Sequence, residues 1–413
     1  MNKKDLLEKS KSFCMAPWVH LHTWPDGRCF PCCMTPAETP VGQLRTTKLK
    51  DVWNGKKMRE LRKKMLNDEK ISSCNRCYEL EQAGHLTLRQ NLNRDFAHHF
   101  KSVEETSKDG HVEKINLPYF DIRFSNICNL RCRTCGPELS SSWYEDNKRL
   151  FGTYNDAKKI ETTTTDPEEF WKDIEPLVPS VELIYFAGGE PLLMEEHYRI
   201  LQILIDKGLT HVKIRYNTNF SFLKYKKYDV IELWKHFDHV EVGASLDAEG
   251  LRGEYMRKGI RWDKVVQNRE RLLKEAPNVK FFISATLGIL NAFHLPDLHR
   301  SWVEKGYIGV NNFNINLLME PPLYSIKTLP SEMKASINQI YTDHIDNYLS
   351  KFSAHDTQIV KDAYLSALRF MNETDQSSLI PDFFKRNDAL DKIRDEKMLD
   401  IFPELQGLTE YLK

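Results

Sequence analysis

From residue 119 onward, the chain alternates between short apolar runs and longer amphipathic stretches. Short apolar runs bounded by turn residues predict buried strands, and apolar positions at helical spacing predict helices. Four of the five gaps between run starts are roughly 28–40 residues, about one strand plus one helix each. The runs cover residues 120–124, 182–187, 212–216, 240–245, 279–286 and 313–318.

Repeated strand–helix units predict a parallel sheet. We therefore expect an α/β fold: a partial (β/α)6 barrel of the TIM type, with a small amino-terminal cysteine-rich module and a helical carboxyl-terminal tail. An open doubly wound sheet is the alternative, because periodicity does not separate the two. The first gap is the longest and predicts an insertion around residues 161–166. The predicted helices between strands are 195–207, 228–237, 263–275 and 295–305.

The parts outside the barrel differ in pattern. Residues 49–66 place apolar side chains at helical spacing among many lysines and arginines. The tail from about residue 330 also has a helical pattern, with one helix starting near Pro330 and another over 387–399. The predicted domains are a module at 1–95, a linker at 96–117, the barrel at 118–325 and a helical extension at 326–413.

The composition of the chain limits which kinds of partner we expect it to bind and in which cellular compartment we expect it. Lys+Arg and Asp+Glu are both 59, so no net basic charge points to nucleic acid. No apolar run approaches the ~18 residues of a membrane span. The amino terminus carries acidic residues where a signal peptide needs an apolar core. We therefore expect a cytoplasmic protein that does not bind membranes.

Nine cysteines lie in the first third of the chain and none follows Cys135. Disulfides are rare in the cytoplasm, so a clustered, odd set of cysteines indicates metal or redox chemistry.

The segment 128–135 has the pattern C-x3-C-x2-C and directly follows the first predicted barrel strand. Active sites of such sheets lie at the carboxyl ends of the strands. Thiolates are the usual ligands of a [4Fe–4S] cluster, which needs four, so three cysteines leave one iron open. A three-thiolate zinc site completed by a remote histidine is the alternative. The three cysteines are Cys128, Cys132 and Cys135.

This motif after the first strand of a six-unit barrel resembles the radical S-adenosylmethionine (SAM) superfamily. The resemblance implies that the three cysteines hold a [4Fe–4S] cluster whose fourth iron chelates SAM. It further implies that one electron from the cluster cleaves SAM to a 5′-deoxyadenosyl radical, which abstracts hydrogen from a substrate.

Further polar residues follow the later predicted strands. Paired glycines at 188–189 would let the backbone approach a ligand closely, although a plain strand-to-helix turn is also consistent with them. The Asn, Ser, Asp and Arg residues could equally be turn, cap or surface residues. The family resemblance implies SAM contacts by Gly188, Gly189, Glu190, Pro191, Asn217, Asn219, Ser245, Asp247 and Arg257.

The amino-terminal cysteines allow two interpretations. Two C-x2-C pairs, at 29–32 and 74–77, are typical of a zinc ribbon, although their spacer is long. The same region resembles the auxiliary-cluster module called SPASM or, in its shorter form, twitch. That resemblance implies a second [4Fe–4S] cluster on Cys14, Cys32, Cys74 and Cys77, with Cys29 and Cys33 spare or replacing Cys32.

The expected function is that of a two-cluster radical SAM enzyme. The resemblance implies a peptide or protein substrate and a low-potential electron donor, flavodoxin or ferredoxin. A small-molecule substrate is one alternative, and a non-catalytic zinc or iron–sulfur binding protein on a degenerate barrel is another. Two histidine pairs are expected to be packed or solvated rather than ligands, and four tryptophans to be core. They are His20, His22, His98 and His99, and Trp143, Trp171, Trp234 and Trp302.

Overall fold

Each of the six apolar runs forms a strand whose ends lie within two residues of the predicted ones. Short additional strands occur in the amino-terminal region and beside the motif at 128–135. In chain order the strands are β1 His20–Thr23, β2 Arg28–Phe30, β3 Gly42–Gln43, β4 Tyr119–Ile122, β5 Arg131–Cys132, β6 Leu183–Phe186, β7 Lys213–Thr218, β8 Lys224–Tyr225, β9 Tyr228–Asp229, β10 Val240–Ala244, β11 Arg257–Lys258, β12 Lys280–Leu287 and β13 Phe313–Leu317.

Helices follow the predicted amphipathic stretches, and the tail after β13 is helical as expected. They are α1 Ala16–Val19, α2 Leu49–Trp53, α3 Lys56–Leu66, α4 Asn75–Gln82, α5 Leu88–Asp95, α6 Lys101–Glu104, α7 Tyr144–Phe151, α8 Pro167–Ile174, α9 Glu195–Asp206, α10 Val230–Trp234, α11 Gly250–Met256, α12 Trp262–Glu275, α13 Leu295–Glu304, α14 Ser331–Asp343, α15 Ala354–Glu373, α16 Ile380–Arg394 and α17 Met398–Ile401.

The computed structural model describes residues 3–82, 86–152 and 159–412. The chain forms two units, each assembled from separate segments. The first unit comprises Met1–Asn126, Ile160–Arg215 and His236–Asp238. The second unit comprises Ile127–Lys159, Tyr216–Lys235 and His239–Lys413.

In the first unit, the cysteine-rich region and the first barrel strands share one sheet. Strand β1 is parallel to β4, with His20 opposite Tyr119 and Thr23 opposite Ile122. Strand β4 is in turn parallel to β6, while β2 and β3 extend the other edge in antiparallel fashion. The predicted amino-terminal module therefore contributes a strand beside the first barrel strand.

In the second unit, β10, β12 and β13 form a parallel sheet. The short strands β5 and β11 pair in antiparallel fashion and align Cys132 with Arg257. A helical tail, α14 to α17, belongs to the same unit.

The predicted α/β class with parallel strands and a helical tail is confirmed. The four tryptophans expected in the core are buried. The predicted helix at 49–66 is interrupted at Asn54 and Gly55, where the extended backbone of Gly55 starts a second helix.

The predicted domain boundaries stay a prediction. Within the expected linker, Phe100, Val103 and Val112 are buried. Among the described helices, none combines the length and apolar character needed to cross a bilayer. The cytoplasmic location stays a prediction.

Candidate active site

The three-cysteine motif forms a tight loop in the second unit, held by serines that follow it. The Ser142 hydroxyl donates to the Cys128 carbonyl oxygen at 2.7 Å, and the Cys128 backbone N–H donates to the Ser141 hydroxyl at 3.3 Å. The Cys135 N–H donates to the Cys132 carbonyl oxygen at 3.0 Å. The loop geometry is therefore set by local hydrogen bonds of its backbone and of the serines that follow it.

Two further contacts fix the loop. The indole Nε1 of Trp143 donates to the Cys132 carbonyl oxygen at 2.8 Å. Gly259 lies against the loop with φ +103°, where an added Cβ would come within 2.9 Å of the Asn129 carbonyl oxygen. A side chain at position 259 would thus clash with the motif, and the left-handed backbone favours glycine there.

Arg257 connects the loop to the strand-end carboxylate Asp247. Its Nε and Nη2 donate to the two carboxylate oxygens at 2.8 and 3.0 Å, and its Nη1 lies 3.7 Å from the Cys132 sulfur. The side chains are 13% and 4% exposed, so the pair is buried and Arg257 is not a solvated surface cation. Although burial opposes its charge, Asp247 raises the pKa of Arg257.

The donor set fits an iron–sulfur cluster. Burial raises the pKa of the Cys132 thiol, while the Arg257 guanidinium acts to lower it. Burial raises the pKa of Cys135 to about 12. A metal overcomes such shifts because it deprotonates the thiols that bind it. The Leu130 N–H also donates to the Cys128 sulfur at 3.5 Å, the kind of hydrogen bond that tunes cluster potentials.

The polar residues after β7 and β10 lie in the second unit with the loop. The Asn219 amide Nδ2 donates to the Asn129 side-chain oxygen at 2.9 Å, so one predicted SAM contact touches the cysteine loop itself. Asn217 lies against Gly243, where a Cβ would be 2.8 Å from the Asn217 oxygen. The Ser245 backbone N–H donates to the Thr218 carbonyl oxygen at 2.8 Å. This hydrogen bond does not involve the Ser245 side-chain hydroxyl.

The Gly-Gly-Glu-Pro turn lies in the first unit, after β6. Gly188 and Gly189 have φ of +76° and +45°. Glu190 is 1% exposed, and its Oε1 accepts from the Leu192 N–H at 3.1 Å, which caps the short turn that begins at Pro191. The turn thus needs its glycines for conformation, and Glu190 has a capping role besides any ligand contact.

A pocket in the first unit gathers four of the six amino-terminal cysteines. Burial, and then the neighbouring Cys32, Cys74 and Cys77, raise the pKa of Cys14 well above its ordinary value. Apolar side chains close the pocket around the thiols, so the set suits a closed, thiolate-bound group rather than one open to substrate. The lining includes Cys14, Cys32, Cys74, Cys77, Pro17, Met34, Met65, Leu88, Leu92 and Arg89.

The other two amino-terminal cysteines are separate from this pocket. Cys29 is buried in β2 and its sulfur donates weakly to the Gly27 carbonyl oxygen at 3.5 Å. Cys33 is exposed. Neither Cys29 nor Cys33 lines the pocket, so the arrangement favours Cys32 over both as the fourth thiol. The pocket also does not combine the two C-x2-C pairs, as a zinc ribbon would.

One residue inside the motif, Arg133, was missed by the sequence reasoning. It is fully buried and donates to Asn387 at 2.8 Å, to Glu396 at 2.7 Å and to Asp391. Its guanidinium also lies 3.6 Å from the centre of the Tyr255 ring. A charged residue between two cysteines of the motif was the available signal, but its three side-chain partners in the tail lie more than 250 positions away.

A second arginine of the loop, Arg131, is linked to the carboxyl-terminal tail because it shares the carboxylate of Asp146 with Arg394. Arg131 Nη1 and Arg394 Nε donate to the two oxygens of Asp146 at 2.8 and 2.9 Å. Asp146, on α7, therefore links Arg394 of helix α16 to the cysteine loop.

Two family models match the chain. Residues 14–78 match the SPASM iron–sulfur cluster-binding domain. Residues 122–290 match the radical SAM superfamily. The first match contains the four pocket cysteines, and the second contains the three-cysteine loop.

Individual relatives are distant. The 7,8-dihydro-6-hydroxymethylpterin dimethyltransferase of Methanocaldococcus jannaschii is 24% identical over 135 residues, which is 32% of this chain and 24% of that protein. Streptococcus suis SuiB bound to S-adenosylmethionine aligns with TM-score 0.39 and 17% identity, over 66% of this chain and 56% of that one. The anSMEcpe structure with AdoMet and the Cp18Cys peptide gives TM-score 0.34 and 19% identity, over 53% and 58%. The chain thus covers less than two thirds of each.

Proposed function

We propose that the chain is a radical SAM enzyme with a SPASM module in its amino-terminal region, and that it cleaves SAM reductively; the two family-model matches support this. The radical SAM domain implies a [4Fe–4S] cluster with SAM, and the SPASM domain implies an auxiliary iron–sulfur cluster. The observation that carries the proposal is the loop of three thiols beside a buried arginine, within the radical SAM match.

Cys128, Cys132 and Cys135 are the proposed ligands of the first cluster. When bound, this cluster supplies the electron that splits SAM into methionine and a 5′-deoxyadenosyl radical. The chain's own residues hold the loop: Trp143 fixes the Cys132 carbonyl, and Arg257 places a positive charge beside the Cys132 sulfur. That charge favours the thiolate form of the ligand.

Cys14, Cys32, Cys74 and Cys77 are the proposed ligands of the auxiliary cluster. Four thiols complete the coordination of a [4Fe–4S] cluster, so this site would keep no open position. Most of the residues around these thiols are apolar, which suits a thiolate-bound group.

For SAM, we propose that the Gly188–Pro191 turn receives the amino group and that Arg257 binds the carboxylate. Asp247 accepts from Nε and Nη2 along one edge of the guanidinium, so its proposed role is to orient Arg257. A guanidinium is suited to a second carboxylate because its donors form a planar fork. Asn217, Asn219 and Ser245 are the further proposed SAM contacts.

We propose a peptide or protein substrate and a low-potential flavodoxin or ferredoxin as electron donor. The substrate class rests on the auxiliary-cluster module alone, and a fold does not determine a substrate. A small molecule is the second candidate, because the curated relative named above is a pterin dimethyltransferase by name.

The test is anaerobic reconstitution followed by iron and sulfide analysis and by chromatography of 5′-deoxyadenosine after addition of SAM and dithionite. Two cubane clusters give about eight irons per chain. Cys132→Ala should retain about four irons and form no 5′-deoxyadenosine. Cys74→Ala should also lose about four irons but from the other site. Cys29→Ala is the matched control and should keep both clusters.

Each alternative predicts a different result. Zinc bound at Cys74 and Cys77 with SAM cleavage intact would remove the auxiliary cluster from the proposal. Iron without any SAM cleavage would favour the non-catalytic binding protein. Loss of iron in Cys29→Ala would contradict the assignment of Cys32 as ligand.

A further inference from the structure

Two histidines and one carboxylate converge in the first unit, at the amino end of strand β6. The His98 Nε2 atom lies 3.0 and 2.9 Å from the two oxygens of the Glu182 carboxylate. The His99 Nε2 atom lies 2.6 Å from Oε1 of the same carboxylate. The histidines belong to the expected linker and precede Glu182 by 84 and 83 positions. The fold therefore joins a histidine pair, expected from the sequence to be packed or solvated, to a distant acid.

The two imidazoles are held by a buried aromatic side chain, Phe96. Its ring is 4% exposed, and its centre lies 6.3 Å from the centre of each histidine ring, at interplanar angles of 23° and 30°. On β4, the Tyr119 ring stacks on Phe96 at 5.9 Å. The centres of the His98 and His99 rings are 4.2 Å apart. The imidazoles are therefore placed by the core, although the His98 side chain is 56% exposed.

Backbone hydrogen bonds hold the carboxylate residue in the same way. The Glu182 N–H donates to the Pro118 carbonyl oxygen at 2.8 Å, and the Glu182 carbonyl oxygen accepts from the Lys213 N–H at 2.9 Å. Glu182 is thus tied to the chain entering β4 and to β7. Its side chain is 43% exposed, so an ion and its water can reach the carboxylate from solvent.

The spacing of the three ligand atoms suits a small metal ion. They lie within 4.8 Å of one another. Zinc binds imidazole nitrogen and carboxylate oxygen at about 2.0–2.2 Å in tetrahedral sites, which places ligand atoms about 3.3 Å apart. The nitrogen–oxygen distances would widen by about 0.3–0.7 Å, and the two nitrogens would approach each other. Partly exposed side chains on a fixed backbone allow adjustments of that size.

The protons on the imidazoles also permit a metal. The Glu182 carboxylate accepts from both Nε2 atoms, so each Nε2 carries a proton in this arrangement. The His99 Nδ1 then accepts from Asn116 Nδ2 at 3.1 Å. A metal on Nε2 requires the proton on Nδ1 instead, and turning the Asn116 amide presents its oxygen to that N–H. Metal-bound histidines regularly have such an outer partner, which fixes the tautomer.

The three residues are separate from the sites already described. Glu182 precedes β6, whereas the turn proposed for SAM begins at Gly188, beyond the other end of that strand. The four residues of β6 span about 13 Å. None of the three lines the amino-terminal cysteine pocket. A metal here would therefore be additional to both proposed clusters.

We propose that His98, His99 and Glu182 bind one Zn²⁺ ion, with water as its fourth ligand. Two imidazoles and a carboxylate with one open position are a ligand set that zinc accepts. Iron(II) accepts similar ligands, but the general affinity order of such sites places zinc above it. The ion would fasten the linker at His98 and His99 to the start of β6. This inference does not depend on SAM cleavage.

The experiment measures zinc bound by the reconstituted full-length protein at a series of free zinc concentrations set by a chelator buffer. Mass spectrometry of the metals after gel filtration gives the zinc per chain. We expect about one more zinc ion in the parent protein than in Glu182→Gln. Asn116→Ala, which removes only the outer partner, should weaken zinc binding about tenfold, and His98→Ala should weaken it more than about a hundredfold.

The matched control is His111→Ala, because that histidine of the same unit lies 3.9 Å from a single carboxylate, Glu113. It should bind as much zinc as the parent protein. Equal zinc in the parent, His98→Ala and Glu182→Gln would overturn the inference, as would a parent protein that retains no zinc.

X-ray absorption at the zinc edge identifies the ligands independently of the variants. We expect nitrogen and oxygen at about 2.0–2.2 Å, with the outer scattering of imidazole rings. A spectrum of zinc on sulfur alone, at about 2.3 Å, would place the ion on cysteines and overturn the inference. Neither measurement involves SAM or a reductant, so failure of SAM cleavage leaves this result unchanged.

Discussion

Arg133 provides the sharpest test of how the carboxyl-terminal tail supports the cysteine loop. Its side chain is 0% exposed and its guanidinium bonds to Asp391 and Glu396, whose side chains are 11% and 13% exposed. Arg133→Met removes the charge while keeping a long side chain, and it leaves two carboxylates buried without their main partner.

The expected cost follows from what remains around the carboxylates. Removing one partner of a buried ion pair costs about 3–5 kcal/mol. Lys258 still donates to Glu396 at 2.8 Å, and the Met398 N–H still donates to Asp391 at 2.7 Å. We therefore expect the lower end, about 3 kcal/mol, which is a large part of a typical folding free energy.

Hydrogen exchange with mass spectrometry measures this locally, on peptides covering residues 127–135 and 380–401. A loss of about 3 kcal/mol corresponds to exchange roughly a hundredfold faster in both segments. Arg261→Met is the control, because that arginine and Asp263 form an exposed pair worth under about 1 kcal/mol. Exchange that changes less than tenfold, or only in the tail, would refute the proposed coupling.

Three further predictions concern the sites and the core. Arg257→Lys should weaken SAM binding about tenfold, because an ammonium cannot span both Asp247 oxygens and a second carboxylate; equilibrium dialysis measures it. Gly188→Ala should abolish SAM-dependent 5′-deoxyadenosine formation, because φ is +76° and the new Cβ meets Arg123. His299→Gln should reduce the loss of unfolding free energy on acidification, as measured by urea unfolding. Burial lowers the pKa of His299 to about 4. The stability contributed by the neutral ring is therefore complete above about pH 6.5 and falls by up to about 1.4 kcal/mol per pH unit between there and about pH 4.

Each of these has a control. For SAM binding, Lys305→Met removes an exposed cation of the same unit and should have no effect. For Gly188→Ala, Gly208→Ala is the comparison, since its φ is also positive but nothing lies within 4 Å of the added Cβ. For the histidine, His355→Gln at a 98% exposed ring should leave the pH dependence unchanged. An equal response of variant and control would contradict the stated cause in each case.

Local pattern was sufficient to predict the six strands at the apolar runs and to single out the cysteine motif, but not the short additional strands. Each apolar run lies within two residues of an observed strand, because buried strand positions impose an apolar pattern, continuous in Tyr119–Ile122 and alternating in Lys213–Thr218. The helix at 49–66 was predicted as continuous, because its apolar spacing persists across the break at Gly55, where only backbone conformation changes. The role of every site residue stays a proposal.

Long-range partners could not be predicted in the same way. His22 and Asp121 are 99 positions apart, and both histidines of β1 were expected to be ordinary packed or solvated residues. Pairing of β1 with β4 makes them neighbours, and nothing in either segment specifies that register.

The sequence by itself predicted the α/β class, the helical tail and the resemblance to radical SAM enzymes, because periodicity and the C-x3-C-x2-C spacing are properties of neighbouring residues. Only the tertiary structure decided which amino-terminal thiols share a pocket. It also decided that Asp247 binds Arg257 and that Asp391 of the tail binds Arg133. The physical reason is that burial and ion pairing depend on distance in space. A separation of 258 positions between Arg133 and Asp391 carries no information about that distance.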